Sequence, residues 1–188
     1  MKYLIAGLGN IGKEYENTRH NIGFKILDAL VDASNISFKD KRYGLVAEYK
    51  YKARSFILLK PSTYMNLSGS AVNYWLQKEK IGIENLLVLV DDIALDFGII
   101  RVRAKGGDGG HNGLNSIIQV LGRNDYARLR FGIGNNFHQG FQSDYVLSNW
   151  TTDQEKILPE KLDASIEIIQ SFGTIGIGRT MNFFNKRK

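Results

Sequence analysis

The spacing of apolar residues divides the chain into alternating short and long segments. Lys2 to Ala6 is a short apolar strand that runs into Gly7-Leu8-Gly9-Asn10-Ile11-Gly12, and the polar stretch Lys13 to Arg19 reads as loop. Ile22, Ile26, Leu27, Leu30 and Val31 recur at helical spacing, so a helix starts near His20 or Asn21, with Asn21 as its N-cap. Leu45 to Tyr51 and Ser55 to Lys60 read as paired strands ended by Pro61. A turn over Ser62 to Asn66 then leads to an amphipathic helix carrying Ala71, Val72, Trp75 and Leu76 as far as about Ile81. Leu86 to Val90 is a continuous apolar run, the mark of a strand buried on both faces, and it ends in Asp91-Asp92.

Ile99 to Lys105 alternates as a strand does. The glycine-dense Gly106 to Gly110 follows, then His111-Asn112 and a helix carrying Leu114, Ile117, Ile118 and Leu121. Tyr126 to Gly134 alternates again. Thr152-Asp153-Gln154-Glu155 has the form of a capping box and starts a helix to about Ser171, bent by Pro159. A last short helix covers Arg179 to Asn185. Strands alternating with helices predict an α/β fold: a single three-layer domain over residues 1–188, with a mixed, mostly parallel central sheet flanked by helices. Functional loops belong at the ends of its strands.

Composition narrows the function classes. No apolar stretch approaches the roughly 18 residues of a membrane span, and the opening apolar run is too short for a signal peptide, which implies a soluble, cytoplasmic protein. The absence of cysteine removes disulfides and thiolate chemistry. A formal charge of +6 favours a polyanionic partner. Its distribution says more: on a strand, Arg101, Arg103 and Lys105 share one face, and Arg128 with Arg130 repeats the pattern, giving two rows able to clamp phosphates.

The glycines at 7, 9 and 12 match the dinucleotide-binding spacing, but that fingerprint needs a helix beginning within the glycine turn, and here a charged loop intervenes. They read as a tight strand-to-loop turn, and no cofactor is expected. His20, His111 and Asp91 offer metal-ligand chemistry, yet they come from three separate segments without paired spacing, so no metal is expected either. What remains is a set of polar groups at strand-to-loop and loop-to-helix junctions: Asn10, His20-Asn21, Asn66, Asp91 and His111-Asn112. Carboxamides, imidazoles and one carboxylate, with no serine in an elbow motif, suit hydrolysis by a water that a base activates.

Tyr15-Glu16-Asn17-Thr18-Arg19-His20-Asn21-Ile22-Gly23 and Gly110-His111-Asn112-Gly113-Leu114 resemble the two signatures of bacterial-type peptidyl-tRNA hydrolases. Lys60 to Gly69, the opening glycine motif and Arg128 to Gly134 are similar to the family in the same order, so the resemblance covers nearly the whole chain. It implies that His20 accepts a proton, that Asp91 stabilises its basic form, and that Asn10, Asn66 and Asn112 position the substrate. A carboxylate that accepts the Nδ1 proton leaves Nε2 free to deprotonate water. The resemblance further implies an N-blocked aminoacyl end as substrate, aromatic walls at Tyr15 and Tyr64, substrate contacts from His111 and Asn21, and a monomer that binds the tRNA acceptor end. Asn115, Arg101, Arg103 and the turn Asp96-Phe97-Gly98 depart from the family pattern, and these positions bear on RNA docking. Two other readings carry less: a non-catalytic RNA-binding module on the same fold, and an oxidoreductase. Trp75, Phe131 and the pair Phe183-Phe184 are assigned to the core, and His138 to a surface loop.

Overall fold

The computed structural model describes residues 1–186. Its strands are β1 (Lys2–Gly7), β2 (Lys39–Lys41), β3 (Gly44–Tyr51), β4 (Arg54–Pro61), β5 (Leu86–Asp92), β6 (Ile100–Arg103) and β7 (Ala127–Gly132). Its helices are α1 (Ile22–Ala33), α2 (Ser68–Glu79), α3 (Asn112–Leu121), α4 (Gln142–Val146) and α5 (Thr152–Phe184). They form one three-layer α/β unit around a seven-stranded sheet of order β2-β3-β4-β1-β5-β7-β6. The four central strands β4, β1, β5 and β7 are parallel, while β2, β3 and β6 run antiparallel to their neighbours.

Alternation along the central strands builds two cores. Tyr3, Ile5, Leu87 and Leu89 face α1 and α5, whereas Leu4, Ala6, Val88 and Val90 face α2 and α3. β1 therefore sends its connection to one face of the sheet, while β4 and β5 send theirs to the other. Such a reversal opens a crevice at the carboxyl ends of the strands. There α1 presses onto β1 backbone to backbone: a Cβ on Gly7 would lie 2.3 Å from the carbonyl oxygen of Gly23, and one on Gly23 would lie 2.4 Å from the amide of Leu8. That approach fixes where the residues just before α1, among them His20, must sit.

Several details differ from expectation. β2 escapes the apolar pattern because Lys39, Asp40 and Lys41 are all exposed at the sheet edge. The short α4 was not foreseen. The capping box belongs to Thr151, one residue earlier than read, whose hydroxyl accepts from the Gln154 amide while Gln154 caps it in return. The break in α5 falls at Gly176 (φ 81°), not at Pro159. Pro159 is exposed and continues the helix at the cost of one ladder bond. Past Gly176 the chain returns to the sheet, where the Asn185 carboxamide accepts from the Val102 amide (2.8 Å) and donates to the Val102 carbonyl (3.0 Å). Phe184 is buried, but Phe183 is 58% exposed, which corrects its assignment to the core. Among the described residues no helix is long and apolar enough to cross a membrane.

Candidate active site

At the carboxyl ends of β1 and β5 lies a cleft of about 570 Å³ lined by Asn10, His20, Tyr64, Asn66, Asp91, His111, Asn112 and Arg130. Asp91 is buried at its floor, with both carboxylate oxygens 2.9 Å from Nδ1 of His20, and its Oδ1 is also 2.9 Å from Nε2 of His111. The tautomer of His111 follows from its neighbours. It caps α3, its Nδ1 accepting from the amides of Gly113 (3.1 Å) and Leu114 (3.4 Å), so its proton sits on Nε2 and points at Asp91. His20 likewise donates from Nδ1. Its Nε2 makes no hydrogen bond to any described residue, and the ring faces the cleft.

The electrostatics are those of a buried anion between two donors. Burial alone would raise the Asp91 carboxyl pKa, but the charges of His20 and His111, with their hydrogen bonds, outweigh it and hold the group well below the ordinary carboxylate range. For His20 burial acts downward, and the charge and hydrogen bond of Asp91 outweigh it, leaving the imidazole above its usual 6.5.

The ligand atoms of His20, Asp91 and His111 lie within 4.8 Å of one another, so separate segments do converge where sequence spacing gave no hint. Their chemistry nevertheless fits a hydrogen-bonded trio better than a metal site. A cation on Nε2 of His111 would drive the ring proton to Nδ1, against two backbone N–H groups.

Asn10 is held on three sides. Asn21 accepts from its amide (2.8 Å) and donates to its carbonyl (2.9 Å), while the Asn10 side-chain oxygen accepts from the Met65 amide (2.9 Å). Its Nδ2 has no partner among the described residues, and the side chain lines the cleft. Asn21 occupies the N-cap position of α1 but makes no capping bond; its carboxamide is spent on Asn10. Asn66 and Asn112 are exposed along the wall, and Tyr64 is 59% exposed beside them. Tyr15 lies in a 3-10 turn and is not among the residues that line the cleft. His111 has both ring nitrogens engaged within the protein, which leaves none for a substrate.

A match to the family model described as "Peptidyl-tRNA hydrolase" runs over residues 4–188. The chain belongs to the peptidyl-tRNA hydrolase family. It is 59% identical to a peptidyl-tRNA hydrolase of Phocaeicola vulgatus and 58% identical to one of Bacteroides fragilis, with all of this chain and all of each relative covered. Among solved structures, peptidyl-tRNA hydrolase from Acinetobacter baumannii superposes with a TM-score of 0.92 at 33% identity, covering 99% of this chain and 95% of that one.

In this member of the peptidyl-tRNA hydrolase family the basic rows divide. The register places Arg101 beside Arg130 and Arg103 beside Arg128 on one face of the sheet. Arg128, however, is 2% exposed. It stacks 4.3 Å above Tyr126 and donates to the carbonyls of Gly107 (2.8 Å) and Asn124 (2.9 Å), so it is a strut under the glycine loop and not part of a phosphate clamp. Arg130 pairs with Asp92 at 2.5 Å. Arg103 and Lys105 are exposed, and Lys105 lies past the end of β6. The loop itself is stitched through Asp108, which accepts from the Gly110 amide (2.7 Å) and from Asn115 (3.1 Å).

Sequence reasoning also passed over Arg19. Buried beside His20, it donates to Ser148 Oγ, to the Asn149 carbonyl (2.7 Å) and to Gln154 (3.0 Å), with its guanidinium 4.5 Å from the Tyr145 ring centre. Only its place directly before His20 pointed to it. Gln142, Ser143, Val146 and Leu147, on or next to α4, close one wall of the cleft and carried no signal in the sequence.

Proposed function

We propose that this protein hydrolyses the ester joining a peptide to the 3′ end of tRNA, with a water activated by His20. The observation that carries the reading is the buried Asp91, which accepts a hydrogen bond from Nδ1–H of His20 and leaves Nε2 open to the cleft. Nε2 accepts a proton from water as its oxygen attacks the ester carbonyl. The tetrahedral intermediate then collapses, the carbon–oxygen bond to the ribose breaks, and the leaving oxygen takes the proton back from His20. The products are a peptide with a free carboxylate and tRNA with a free 3′ hydroxyl.

Asn10 supplies the donor for the developing oxyanion, because its oxygen is committed to Met65 and only Nδ2 faces the cleft. Asn66 and Asn112 bind the peptide backbone from the wall, and Tyr64 offers a face for the terminal base. The RNA phosphates lie toward β6 and β7, along Arg101, Arg103, Lys105 and Arg130. The same reading has the protein acting as a metal-free monomer in the cytoplasm, where translation supplies the substrate.

The test follows release of free tRNA from N-acetyl-aminoacyl-tRNA, with unblocked aminoacyl-tRNA alongside. The blocked substrate is cut and the free one spared, and His20→Ala loses turnover while still binding tRNA. Wild-type turnover by His20→Ala would overturn the assignment of the base.

A further inference from the structure

The net charge of the chain is concentrated away from the cleft. Residues 39–60, the stretch that forms β2, β3 and β4, hold seven Lys and Arg against two Asp and Glu, an excess of five within a whole-chain charge of +6. The remainder of the chain is close to neutral, and β2 and β3 lie at the opposite edge of the sheet from the arginines of β6 and β7. Nothing in the chemistry proposed above uses this edge. We infer that it is a second RNA-binding surface, one that takes the backbone of an RNA other than the substrate's acceptor end.

Four cations share one face there. Lys39 and Lys41 pair with Val46 and Gly44, and Val46 packs onto the core beneath α2 together with Tyr43 and Tyr74, so both lysines stand on the α2 side of the sheet. In the turn between β2 and β3, the Arg42 guanidinium lies 5.3 Å from the ring centre of Tyr43 and 5.2 Å from that of Tyr74. One helical turn beyond Tyr74, Lys78 lies 4.5 Å from the ring centre of Trp75. Ring faces thus hold Arg42 and Lys78 in place without neutralising them. All four side chains are exposed, and none has an ion-pair partner among the described residues. The nearby acids are turned away or committed. Asp40 pairs with Leu45 and so faces the α1 side, and Glu79 is taken by Lys2 at 2.7 Å. Glu48 stands on the α2 side but four residues beyond Gly44, about 13 Å along β3.

An RNA backbone fits this arrangement. Positive charges interleaved with the half-buried Tyr43 and Tyr74 give phosphates a row of donors and give sugars and bases an aromatic edge, contacts that need no particular sequence. A lipid surface finds nothing to bury: among the described residues, Leu45 is the one large apolar side chain of β2 and β3 that is exposed, and it faces the other side of the sheet, toward Phe24 of α1. The substrate's own RNA is elsewhere in the reading above. Its phosphates run toward β6 and β7, and β7 is five strand spacings, about 24 Å, from β2. The acceptor end therefore leads away from Arg42 and its neighbours.

The experiment measures binding of the full-length protein to a short blunt RNA hairpin, with a poly-glutamate peptide and phosphatidylserine vesicles as the other probes. Hydrolysis of N-acetyl-aminoacyl-tRNA is followed in parallel. The triple variant Lys41→Gln/Arg42→Gln/Lys78→Gln changes only exposed side chains and keeps the Arg42 carbonyl that accepts from Trp75 Nε1, and thermal melting confirms its fold. It should bind the hairpin at least about tenfold more weakly, with the slope of log affinity against log salt reduced by roughly two to three units, while kcat/KM stays within about twofold of the wild type. An unchanged hairpin affinity would overturn the surface. An equal loss of kcat/KM would place these residues in the substrate's own path and overturn it as well. So would poly-glutamate or the vesicles binding the wild type as tightly as the hairpin does, since the face would then read charge alone.

Discussion

The two charged corners of the sheet, one at the end of β5 and one on the face of β6 and β7, are built in opposite ways. Around Asp91 the polar atoms are assigned: the carboxylate accepts from two imidazoles, one imidazole caps a helix, and Nε2 of His20 faces the cleft with the carboxamides on the wall. On β6 and β7 four arginines share one face, yet their environments differ. Arg128 is a buried strut, Arg130 is paired with Asp92, and Arg103 is exposed. The first corner is organised by burial, which gives a single carboxylate its leverage over an imidazole. The second is organised by solvent, in which each exposed charge contributes little alone and acts through its sum with the others.

The sharpest way to break this contrast is Asp91→Asn. Without the buried charge, turnover should fall roughly a thousandfold, within the range of general acid–base effects. The pH profile carries the sign. His20 works as a base only when neutral, and its pKa lies above 6.5, so kcat/KM should decline as pH drops through that raised value. Asp91→Asn removes what raises it, and the acid limb should move to lower pH. An acid limb in the same place would mean that Asp91 does not govern the base. The raised value also makes the pair stabilising below the unfolded imidazole pKa, a contribution lost as pH rises through the folded one.

Next in size is the difference between two neighbouring arginines. Arg128→Met should lower stability to urea by about 3 kcal/mol, because it leaves the Gly107 and Asn124 carbonyls without their donor, whereas Arg103→Met should stay within about 0.5 kcal/mol. Equal midpoints for the two variants would erase the distinction between strut and surface charge. The smallest effect is in RNA binding. Arg103→Ala should reduce the dependence of log affinity on log salt by nearly one unit with kcat unchanged, as for the loss of one phosphate contact, and an unaltered slope would remove Arg103 from the RNA surface.

How far each corner was legible follows from the same contrast. The continuous apolar run Leu86 to Val90 announced a strand buried on both faces, so an acid at its end had to lie at the sheet edge. His20 and the asparagines stood out because they sit at junctions and within motifs. Alternation over Arg128 and Arg130 gave the face of the sheet but not the depth, because depth depends on Tyr126 and the glycine loop folding over Arg128. Arg19 was silent for a related reason: Ser148, Asn149 and Gln154 lie some 130 residues away in the chain. Asn21 looked like a cap from its local sequence, and its tertiary bonds to Asn10 prevailed. Pro159, where a bend was expected, keeps helical backbone angles inside α5, and a proline on the exposed side removes only one ladder bond. The break came where a glycine adopts a left-handed φ that other residues resist.

The turn of chain after Gly176 has one more consequence. A four-stranded parallel centre ending in the short β6 would offer passing molecules a vacant rung on which to add a strand of their own. The Asn185 carboxamide occupies that rung at Val102 with both a donor and an acceptor, imitating a neighbouring backbone with a single side chain. The sheet thus carries its own end-stop against templated self-association.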